Sequence, residues 1–308
     1  MSTVSVVVTN WNGKIWLDDC LRALQQQTYR DFEIIFVDDG STDGSADWVA
    51  EHFPTVRLIR QQPHLGFAGA NNLGIKAASG KYIAALNNDT RPAETWLEEM
   101  VKAVNRPDIG MVAAQIVIWD NPDLLDSAGI EVDWAGFGWN RGWQKPVSAA
   151  AEAQDVFGPC AAAALYRREM LDEIGLFDEN FYAYYEDVDL AWRAQRAGWR
   201  CRYAPTARVL HHHSATGRKF ADRKVFLLNR NKIWTILKNY DGSMLLWTWP
   251  VIVGYDFLSL LVQTGRTRSL APLKARWQAL IGAPRVLSTR RVAAKRIRLV
   301  KPHLNWPL

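Results

Sequence analysis

The first 118 residues alternate between short apolar runs and segments in which apolar residues recur at helical spacing. The apolar runs cover Val4–Val8, Phe32–Val37, Val56–Ile59, Tyr82–Leu86 and Met111–Ile118, and each has the length of a buried strand. Helical spacing fills the intervals at Trp16–Leu24, Ala46–Phe53, Gly66–Ala78 and Trp96–Val104. Strands that alternate with helices pair in parallel and need helices over both faces of the sheet. The alternation therefore predicts an α/β fold with a doubly wound, mostly parallel sheet.

Regular spacing of apolar residues breaks down between Trp119 and Asp155. This stretch is rich in Gly, Asp and aromatic side chains, and long irregular segments of compact domains commonly carry function. Helical spacing returns at Arg167–Ile174 and at Glu186–Ala197. We expect the irregular stretch to contribute to a binding site, although each of its aromatic rings could equally serve as ordinary core.

The formal net charge of +5 conceals two regions of opposite sign. Residues 1–256 contain all 32 acidic side chains but only 26 of the 37 Lys and Arg, so they form an acidic body. The 11 basic residues after Asp256 form a basic tail without a single acid. At 48% hydrophobic and 22% charged residues, the composition excludes a disordered or fibrous protein.

The basic C-terminal segment also contains a long apolar run, Met244–Gln263. Pro250 and Asp256 interrupt it, and an ionisable residue in the middle of a membrane span is costly without a partner. Its apolar side chains recur at three- and four-residue steps, as one helix face requires: Leu246, Trp249, Val253, Phe257, Leu260 and Leu261. This pattern predicts a helical region at 236–308 that lies on an anionic membrane surface. A core helix followed by a solvated tail is the alternative, and nucleic acid is not expected because no nucleic-acid-binding signature accompanies the charge.

Two features of the sequence predict the compartment. The chain begins without a positively charged leader or a cleavable apolar core, so we expect no signal peptide. Its three cysteines lie far apart, which excludes a disulfide scaffold and a zinc ribbon and suits a reducing environment. We therefore expect a cytoplasmic protein, peripheral on the inner face of the plasma membrane.

Three acidic clusters stand where chemistry could occur, and each also has a purely structural interpretation. Asp38–Asp43 and Asn87–Asp89 directly follow predicted strands, at the edge where α/β sheets bind ligands, yet both could form turns or cap helices. The oxygens of Asn87–Asp89 suit Mg²⁺ or Mn²⁺. Glu186, Asp187 and Asp189 crowd three acids into four positions, which should raise at least one pKa and supply a base. Acidic first turns are also ordinary helix starts.

The histidine run His211–His213 is a fourth candidate site. A histidine can ligate a metal or contact a diphosphate, but three consecutive imidazoles of an extended segment cannot all reach one ion. The basic residues that follow could bind phosphates or simply face solvent: Arg218, Lys219, Arg223 and Lys224.

In this order the motifs resemble those of inverting family 2 glycosyltransferases of the GT-A fold. They look closest to the bacterial rhamnosyltransferase-like branch, which builds surface polysaccharides. The matching segments are SVVVTNWNG at 5–13, VDDGSTDGS at 37–45, GFAGANNLGIKAASGKYIAALNNDT at 66–90 and GLFDENFYAYYEDVDLAWRAQRAGW at 175–199. The resemblance implies a GT-A domain at 1–235, with a nucleotide-sugar-binding half at 1–118 and an acceptor and catalytic half at 119–235, before the helical, basic extension at 236–308.

The resemblance also implies roles for individual residues. Thr9, Asn10, Asn12, Asp39, Asn71 and Asn88 would contact the nucleotide sugar; Asp89, Asn87 and His211 would hold a divalent metal, Mg²⁺ or Mn²⁺; Asp187 and Glu186 would form the catalytic pair. Asp187 is the expected base. Asn87 departs from the family pattern, because it stands where the family has the first Asp of its Asp-x-Asp motif, and this leaves one metal-facing carboxylate.

The implied reaction moves a sugar, rhamnose or another hexose, from a nucleoside-diphosphate sugar to a hydroxyl of a glycan or polyprenyl-linked acceptor. A base removes the hydroxyl proton, and a metal neutralises the departing diphosphate. The aromatic stretch at 119–155 would then face the acceptor. Two alternatives stay open: a non-catalytic glycan-binding or assembly subunit, and a nucleotidyltransferase of similar architecture. Nucleotidyltransferases generally carry a Gly-rich phosphate loop, which Asn10–Gly13 does not supply.

Overall fold

The computed structural model describes residues 2–212 and 221–290. Its strands are β1 Val4–Asn10, β2 Phe32–Asp39, β3 Arg57–Gln61, β4 Tyr82–Asn87, β5 Thr90–Pro92, β6 Ile109–Ile118, β7 Asn121–Ser127, β8 Ile130–Val132, β9 Gly138–Asn140, β10 Asp155–Val156, β11 Ala163–Arg167 and β12 Arg200–His211. Its α-helices are α1 Leu17–Gln25, α2 Ser45–His52, α3 Gly66–Ala77, α4 Trp96–Ala103, α5 Arg168–Ile174, α6 Glu186–Ala197, α7 Ala221–Asn239, α8 Gly242–Thr267 and α9 Ala271–Ser288.

One large sheet organises the described residues. Its strand order is β10-β12-β6-β11-β4-β1-β2-β3, with β5 paired to β12 and β7 paired to β6. The strands β4, β1, β2 and β3 are parallel to one another, and β6 is parallel to β12. Antiparallel β11 lies between β4 and β6 and joins the two parallel groups. The sheet brings the carboxyl ends of β1, β2 and β4 to one edge, where polar side chains follow each strand.

Side chains of β1 alternate between the two faces of the sheet and feed two cores. Val4, Val6 and Val8 pack with α1, α2 and α4, whereas Val7 packs with α3, α5 and α6. The helix α3 lies so close to β1 that a Cβ on Gly74 would stand 2.3 Å from a Val7 methyl group. Helices therefore cover both faces, as the alternation in the sequence predicts.

The stretch between Trp119 and Asp155 is more regular than its sequence suggests. It contains β7 and the small antiparallel pair of β8 and β9, and β10 begins at its end. The strands β11 and β12 are also absent from the sequence-based expectation. The pairing of β12 with β6 shifts register between Ala204 and Arg208, around Pro205, because proline cannot donate to a strand ladder.

The C-terminal helices confirm the helical character of the extension within the described residues. The helix α7 packs against α6 and α9, and α8 is long and apolar enough to cross a membrane by length and composition. Asp256, in the middle of α8, lies 2.6 Å from the Lys232 ammonium and 2.8 Å from the Arg276 guanidinium. The protein itself therefore neutralises the charge that interrupts the apolar run. The end of the histidine motif at 213–217 and the last basic residues at 291–301 lie outside the described residues.

Candidate active site

A cavity of about 610 Å³ opens at the carboxyl ends of the parallel strands. The strand ends, the loop before α6 and the first turns of α7 form its walls. Nine of the residues singled out from the sequence line it: Thr9, Asn10, Asp39, Asn87, Asn88, Asp89, Glu186, Asp187 and His211. Motifs that lie up to 200 residues apart in the chain thus meet in one site.

The structure places Asn12 and Asn71 away from the cavity wall. The Asn12 side-chain oxygen accepts a hydrogen bond from the Thr42 backbone amide at 2.7 Å, which ties the loop after β1 to the turn after β2. The Asn71 amide donates to the Phe67 carbonyl within α3 at 2.9 Å, and its side chain is buried. Both asparagines hold local backbone, and their role as nucleotide contacts stays a prediction.

Asn10 and Asp39 fix the geometry at the strand ends. The Asn10 amide donates to the Asp38 carboxylate at 2.9 Å and to the Ser41 hydroxyl at 3.0 Å, while its oxygen accepts from the Asn88 amide. Asn10 therefore links the ends of β1, β2 and β4. The two Asp39 oxygens accept the backbone amides of residues 65 and 66 at 2.8 and 2.9 Å, at the start of α3. A helix N-terminus favours such a negative charge.

His211 lies between two carboxylates on the Asp89 side of the cavity. Its Nδ1 is 2.5 Å from Asp126 Oδ2, and its Nε2 is 3.3 Å from Asp89 Oδ1. Burial disfavours the charged imidazole, but the two carboxylates outweigh it and raise the pKa of His211 to about 10. Burial likewise opposes ionisation of Asp89, yet the charge of His211 lowers the pKa of Asp89.

An aromatic stack holds the backbone beside Asp89. The His212 ring lies between the rings of Trp16 and Trp119, with centroid distances of 4.0 and 3.9 Å. The His212 backbone amide donates to the Asp89 carbonyl at 3.1 Å. The second histidine of the run therefore positions the loop that carries Asp89 and does not line the cavity itself.

The donor set at Asp89 fits a divalent metal only in part. Within residues 2–212 and 221–290, no group of three or more His, Cys, Asp or Glu is arranged to hold a metal ion. Asp89 Oδ1 is nevertheless buried without a well-aligned hydrogen-bond donor among them, and it faces the His211 ring. Mg²⁺ commonly binds through one or two carboxylates plus substrate phosphates. The site suits a metal whose remaining ligands come from a diphosphate and water.

The carboxylates Glu186 and Asp187 follow a strained loop at the start of α6. Three residues of the tyrosine loop (residues 181–185), Tyr182, Tyr184 and Tyr185, have φ between 67° and 70°, which is uncommon for side chains other than glycine. Such strain is typical of functional sites. The Asp187 carboxylate then accepts the backbone amides of Ala161 at 3.2 Å and Val188 at 2.8 Å. These contacts hold it at the cavity wall.

Burial raises the pKa values of both carboxyl groups, Glu186 and Asp187. Glu186 is buried, and its Oε2 has no hydrogen-bond partner among the described residues. Burial first, and then the charge of Asp187, raise the pKa of Glu186 well above its usual range. Burial also raises the pKa of Asp187 to about 6, although backbone amides partly offset it. At neutral pH the Asp187 carboxyl is mostly ionised, as a general base requires, and burial favours the protonated form of Glu186 beside it.

A family model for "Glycosyl transferase family 2" matches residues 5–175, more than half of the chain. The chain belongs to this family. It is a glycosyltransferase, and the family predicted from the sequence motifs is confirmed.

Curated relatives agree with this assignment. An O-antigen biosynthesis protein, RfbC of Myxococcus xanthus, is 28% identical over 206 residues, which span 63% of this chain but only 16% of RfbC. An N-acetylglucosaminyl-diphospho-decaprenol L-rhamnosyltransferase of Mycobacterium tuberculosis is 27% identical over 262 residues, which span 74% of this chain and 85% of the relative.

A solved structure shows the same fold. The mannosyltransferase PcManGT of Pyrobaculum calidifontis, in complex with GDP-Man and Mn²⁺, superposes with a TM-score of 0.58 at 18% identity. The match covers 93% of this chain and 87% of that one. This likeness confirms the GT-A fold expected from the sequence.

Several cavity residues of the glycosyltransferase escaped the sequence analysis. The rings of Trp11 and His64 stack at 4.4 Å beside Asp39, and His64 Nδ1 lies 2.6 Å from the Asp39 carboxylate. The edge of the His64 ring meets Tyr182 at 5.5 Å. Trp11 lies between two residues that the resemblance did single out, so it could have been found; His64 follows β3 without any motif.

The aromatic residues between 119 and 155 lie in several different surroundings in the glycosyltransferase. Trp139 and Trp143 line the cavity, whereas Trp119 stacks on His212 outside it. Phe137 lies 4.0 Å below the Lys232 ammonium, and Trp134 is largely exposed. Only part of the stretch is therefore placed to meet a substrate.

Proposed function

We propose that this glycosyltransferase moves a sugar, with inversion, from a nucleoside-diphosphate sugar to a hydroxyl of a lipid-linked or glycan acceptor in the synthesis of a cell-surface polysaccharide. The observation that carries the proposal is the shared cavity, where an ionised Asp187 with a raised pKa and the Asp89–His211 pair line the same space. The proposed catalytic domain is 1–235, with a donor half at 1–118 and an acceptor half at 119–235.

Asp187 would act as the general base. Inversion in one step requires that the acceptor hydroxyl lose its proton as its oxygen attacks the anomeric carbon. Asp187 is half-buried and faces the cavity, and burial makes it a stronger base than a solvated aspartate. Burial favours the protonated form of Glu186 beside it.

The departing diphosphate would lie at the Asp89 side of the cavity. Asp89, with the Asn87 and Asn88 side chains nearby, would hold a divalent metal there, and His211 would have to give up one ring proton to join them; when bound, the metal would neutralise charge on the leaving oxygen. Arg223 and Lys224 at the start of α7 also line the cavity. Their charges would attract a diphosphate from the opposite wall.

Trp139 and Trp143 suit a sugar acceptor. Sugar rings present C–H faces that pack on aromatic planes, and these two rings line the same cavity as Asp187. The Mycobacterium tuberculosis relative, which is matched over 85% of its length, is named an N-acetylglucosaminyl-diphospho-decaprenol L-rhamnosyltransferase. We therefore propose rhamnose or another hexose as the sugar and a polyprenyl-diphosphate-linked glycan as the acceptor.

A panel of nucleotide sugars tests this function. Purified full-length protein is incubated with UDP-, GDP- and dTDP-linked hexoses and deoxyhexoses and a polyprenyl-diphosphate-linked N-acetylglucosamine, with Mg²⁺, with Mn²⁺ and with EDTA. We expect one donor to give nucleoside diphosphate and a glycosylated acceptor, and we expect EDTA to slow the transfer. Release of pyrophosphate would indicate a nucleotidyltransferase, and glycan binding without turnover of any donor would indicate a non-catalytic subunit.

The helices α8 and α9 carry an unusual amount of exposed apolar surface. Of fifteen large hydrophobic side chains that are exposed among the described residues, thirteen lie at positions 246–287. The most exposed of these thirteen side chains are Trp247 at 82%, Leu246 and Trp277 at 67% and Leu280 at 66%. Patches of this kind mark protein or membrane contacts. We propose that this hairpin of helices (α8–α9) lies on the cytoplasmic face of the membrane.

Charge favours an anionic lipid surface as the partner of the α8–α9 hairpin. Its exposed charged side chains are basic, Arg266, Arg268, Lys274 and Arg285, and its one acid, Asp256, is paired within the protein. Each basic residue near an anionic leaflet contributes on the order of 1 kcal/mol. The exposed tryptophans suit the headgroup region, where amphipathic rings concentrate.

Replacing three exposed side chains tests the membrane contact. We expect Trp247→Ser, Trp277→Ser and Leu280→Ser together to weaken binding to vesicles of equal parts phosphatidylglycerol and phosphatidylcholine at least tenfold, because about 1.5–3 kcal/mol of transfer energy is lost per large apolar side chain. Cosedimentation measures the binding.

The matched control is Ile15→Ser, which removes another large exposed side chain, 75% accessible, outside the hairpin. It should leave vesicle binding unchanged. Equal binding of the triple variant and the wild type, or equal binding to vesicles of phosphatidylcholine alone, would contradict an anionic membrane as the partner.

A further inference from the structure

The tyrosine loop (181–185) is costly to maintain and needs support from outside itself. A non-glycine residue with positive φ is strained and persists only where the surroundings determine its conformation. The loop has three such residues within four positions, directly before Glu186 and Asp187. Backbone amides reach the carbonyls of Phe181, Tyr182 and Tyr185, and the remaining hydrogen bonds to the loop come from side chains.

Asn231, on α7, supplies those hydrogen bonds. Its side-chain amide donates to the carbonyls of Phe181 at 2.9 Å, Ala183 at 2.9 Å and Tyr184 at 2.7 Å. The Asn231 side chain is completely buried. One amide group therefore contacts three carbonyls of a single loop, and no other described side chain does this for the segment.

The neighbouring Arg230 fixes the orientation of that amide. Its Nε donates to the Asn231 oxygen at 2.9 Å, which leaves the nitrogen of the amide facing the loop. Its other nitrogen donates to the carbonyls of Asn180 at 3.3 Å and Phe181 at 3.0 Å. The guanidinium itself packs on the Trp234 ring at 4.1 Å. Arg230 and Asn231 together hold both the loop and each other.

We propose that Asn231 is a positioning residue for catalysis: it holds the tyrosine loop in the conformation that places Asp187 at the cavity wall. The inference rests on the proposed role of Asp187 as general base. It predicts that loss of the Asn231 amide lowers the rate of sugar transfer far more than it lowers the affinity for the donor, since the residue does not line the cavity.

The variant Asn231→Ala tests the positioning role in the full-length protein. We expect kcat for sugar transfer to fall about 100-fold, with KM for the donor within threefold of wild type, because a displaced base costs rate and not donor binding. We also expect the acid limb of the pH profile to move away from pH 6, since the backbone contacts and burial of Asp187 change with the loop. Amide hydrogen exchange at 181–187 should accelerate at least tenfold.

The matched control is Asn229→Ala, which removes another buried asparagine from the same helix. The Asn229 amide donates to the Val225 carbonyl at 2.8 Å and to the Gln263 side chain at 2.6 Å, and it has no contact with the tyrosine loop. We expect it to lower the melting temperature as Asn231→Ala does, while kcat and exchange at 181–187 stay within threefold of wild type. Equal kinetic effects of both variants would overturn the positioning role.

A second variant guards against simple misfolding of Asn231→Ala. Arg230→Met keeps much of the packing on Trp234 but removes the hydrogen bonds to the loop and to Asn231. We expect a smaller fall in kcat, about tenfold, with the same shift of the pH profile; an unshifted profile and wild-type kcat would overturn the proposal. Hydrogen exchange does not depend on turnover. Unaltered exchange at 181–187 in Asn231→Ala would therefore overturn the positioning role even if the wild type transfers no sugar. A wild type that transfers no sugar would refute only the proposed function.

Discussion

Replacing Asp187 with Asn should lower kcat for sugar transfer by 10²–10⁴-fold, the usual contribution of a general base. The change preserves the size of the side chain, and one oxygen can still accept a backbone amide from Ala161 or Val188. The amide cannot accept a proton from the acceptor hydroxyl. We therefore expect donor affinity, measured by calorimetry with the nucleoside diphosphate, to stay within about threefold of wild type.

The pH profile of the wild type provides an independent check on the same residue. Because the pKa of Asp187 is raised to about 6, the ionised base disappears as the pH falls through 6, and log kcat/KM should then fall with unit slope. An ordinary solvated aspartate would retain nearly full activity to about pH 5 and half of it at about pH 4. A profile that is flat between pH 7 and pH 5, or a fully active Asp187→Asn variant, would contradict the assignment of the base.

Local patterns predicted the first half of the fold well because each strand there is a continuous apolar run. The run at Phe32–Val37 is a strand that ends only two residues later, at Asp39. The strand β12 was missed because polar and basic residues and Pro205 disguise its alternation. The strand β11 was missed because its alanines have no strong preference, although the sheet places it between β4 and β6. Tertiary context decides such segments.

The acidic cluster shows where sequence reasoning about the site stops. Three acids in four positions were expected to raise at least one pKa, and the pKa values of Glu186 and Asp187 are raised. The largest cause for both is burial, however, and repulsion between the carboxylates comes second for Glu186 alone. The pKa of Asp189 is lowered instead, because cations from Arg193 and Lys238 outweigh its burial. Lys238 lies 49 residues further along the chain, so no local pattern could reveal the difference.

The contacts of Asp189 predict a large effect on stability. Its completely buried carboxylate lies 2.9 Å from Arg193 and 3.0 Å from Lys238, and it accepts the Asn239 amide at 2.9 Å. Removing one partner of a buried ion pair costs about 3–5 kcal/mol, since it leaves charge buried without compensation. We expect Asp189→Ala to lower the free energy of unfolding by that amount, measured by urea denaturation at pH 7. Donor contacts should be unaffected, because Asp189 does not line the cavity.

Asp155, a surface acid that also forms two ion pairs, is the control that tests whether burial causes the loss of stability. Asp155 also contacts two arginines, Arg106 at 2.9 Å and Arg202 at 3.2 Å, but its side chain is 42% exposed, so Asp155→Ala should cost less than about 1 kcal/mol.

The sign of the pH dependence follows from the lowered pKa of Asp189: its stabilisation is complete above the unfolded-state pKa of about 4 and is lost as the pH falls through the folded-state value. The difference in the free energy of unfolding between wild type and Asp189→Ala should therefore become smaller in acid. A difference that grows in acid would show that the buried ion pairs do not stabilise the fold. Equal losses of stability for Asp189→Ala and Asp155→Ala at pH 7 would show the same.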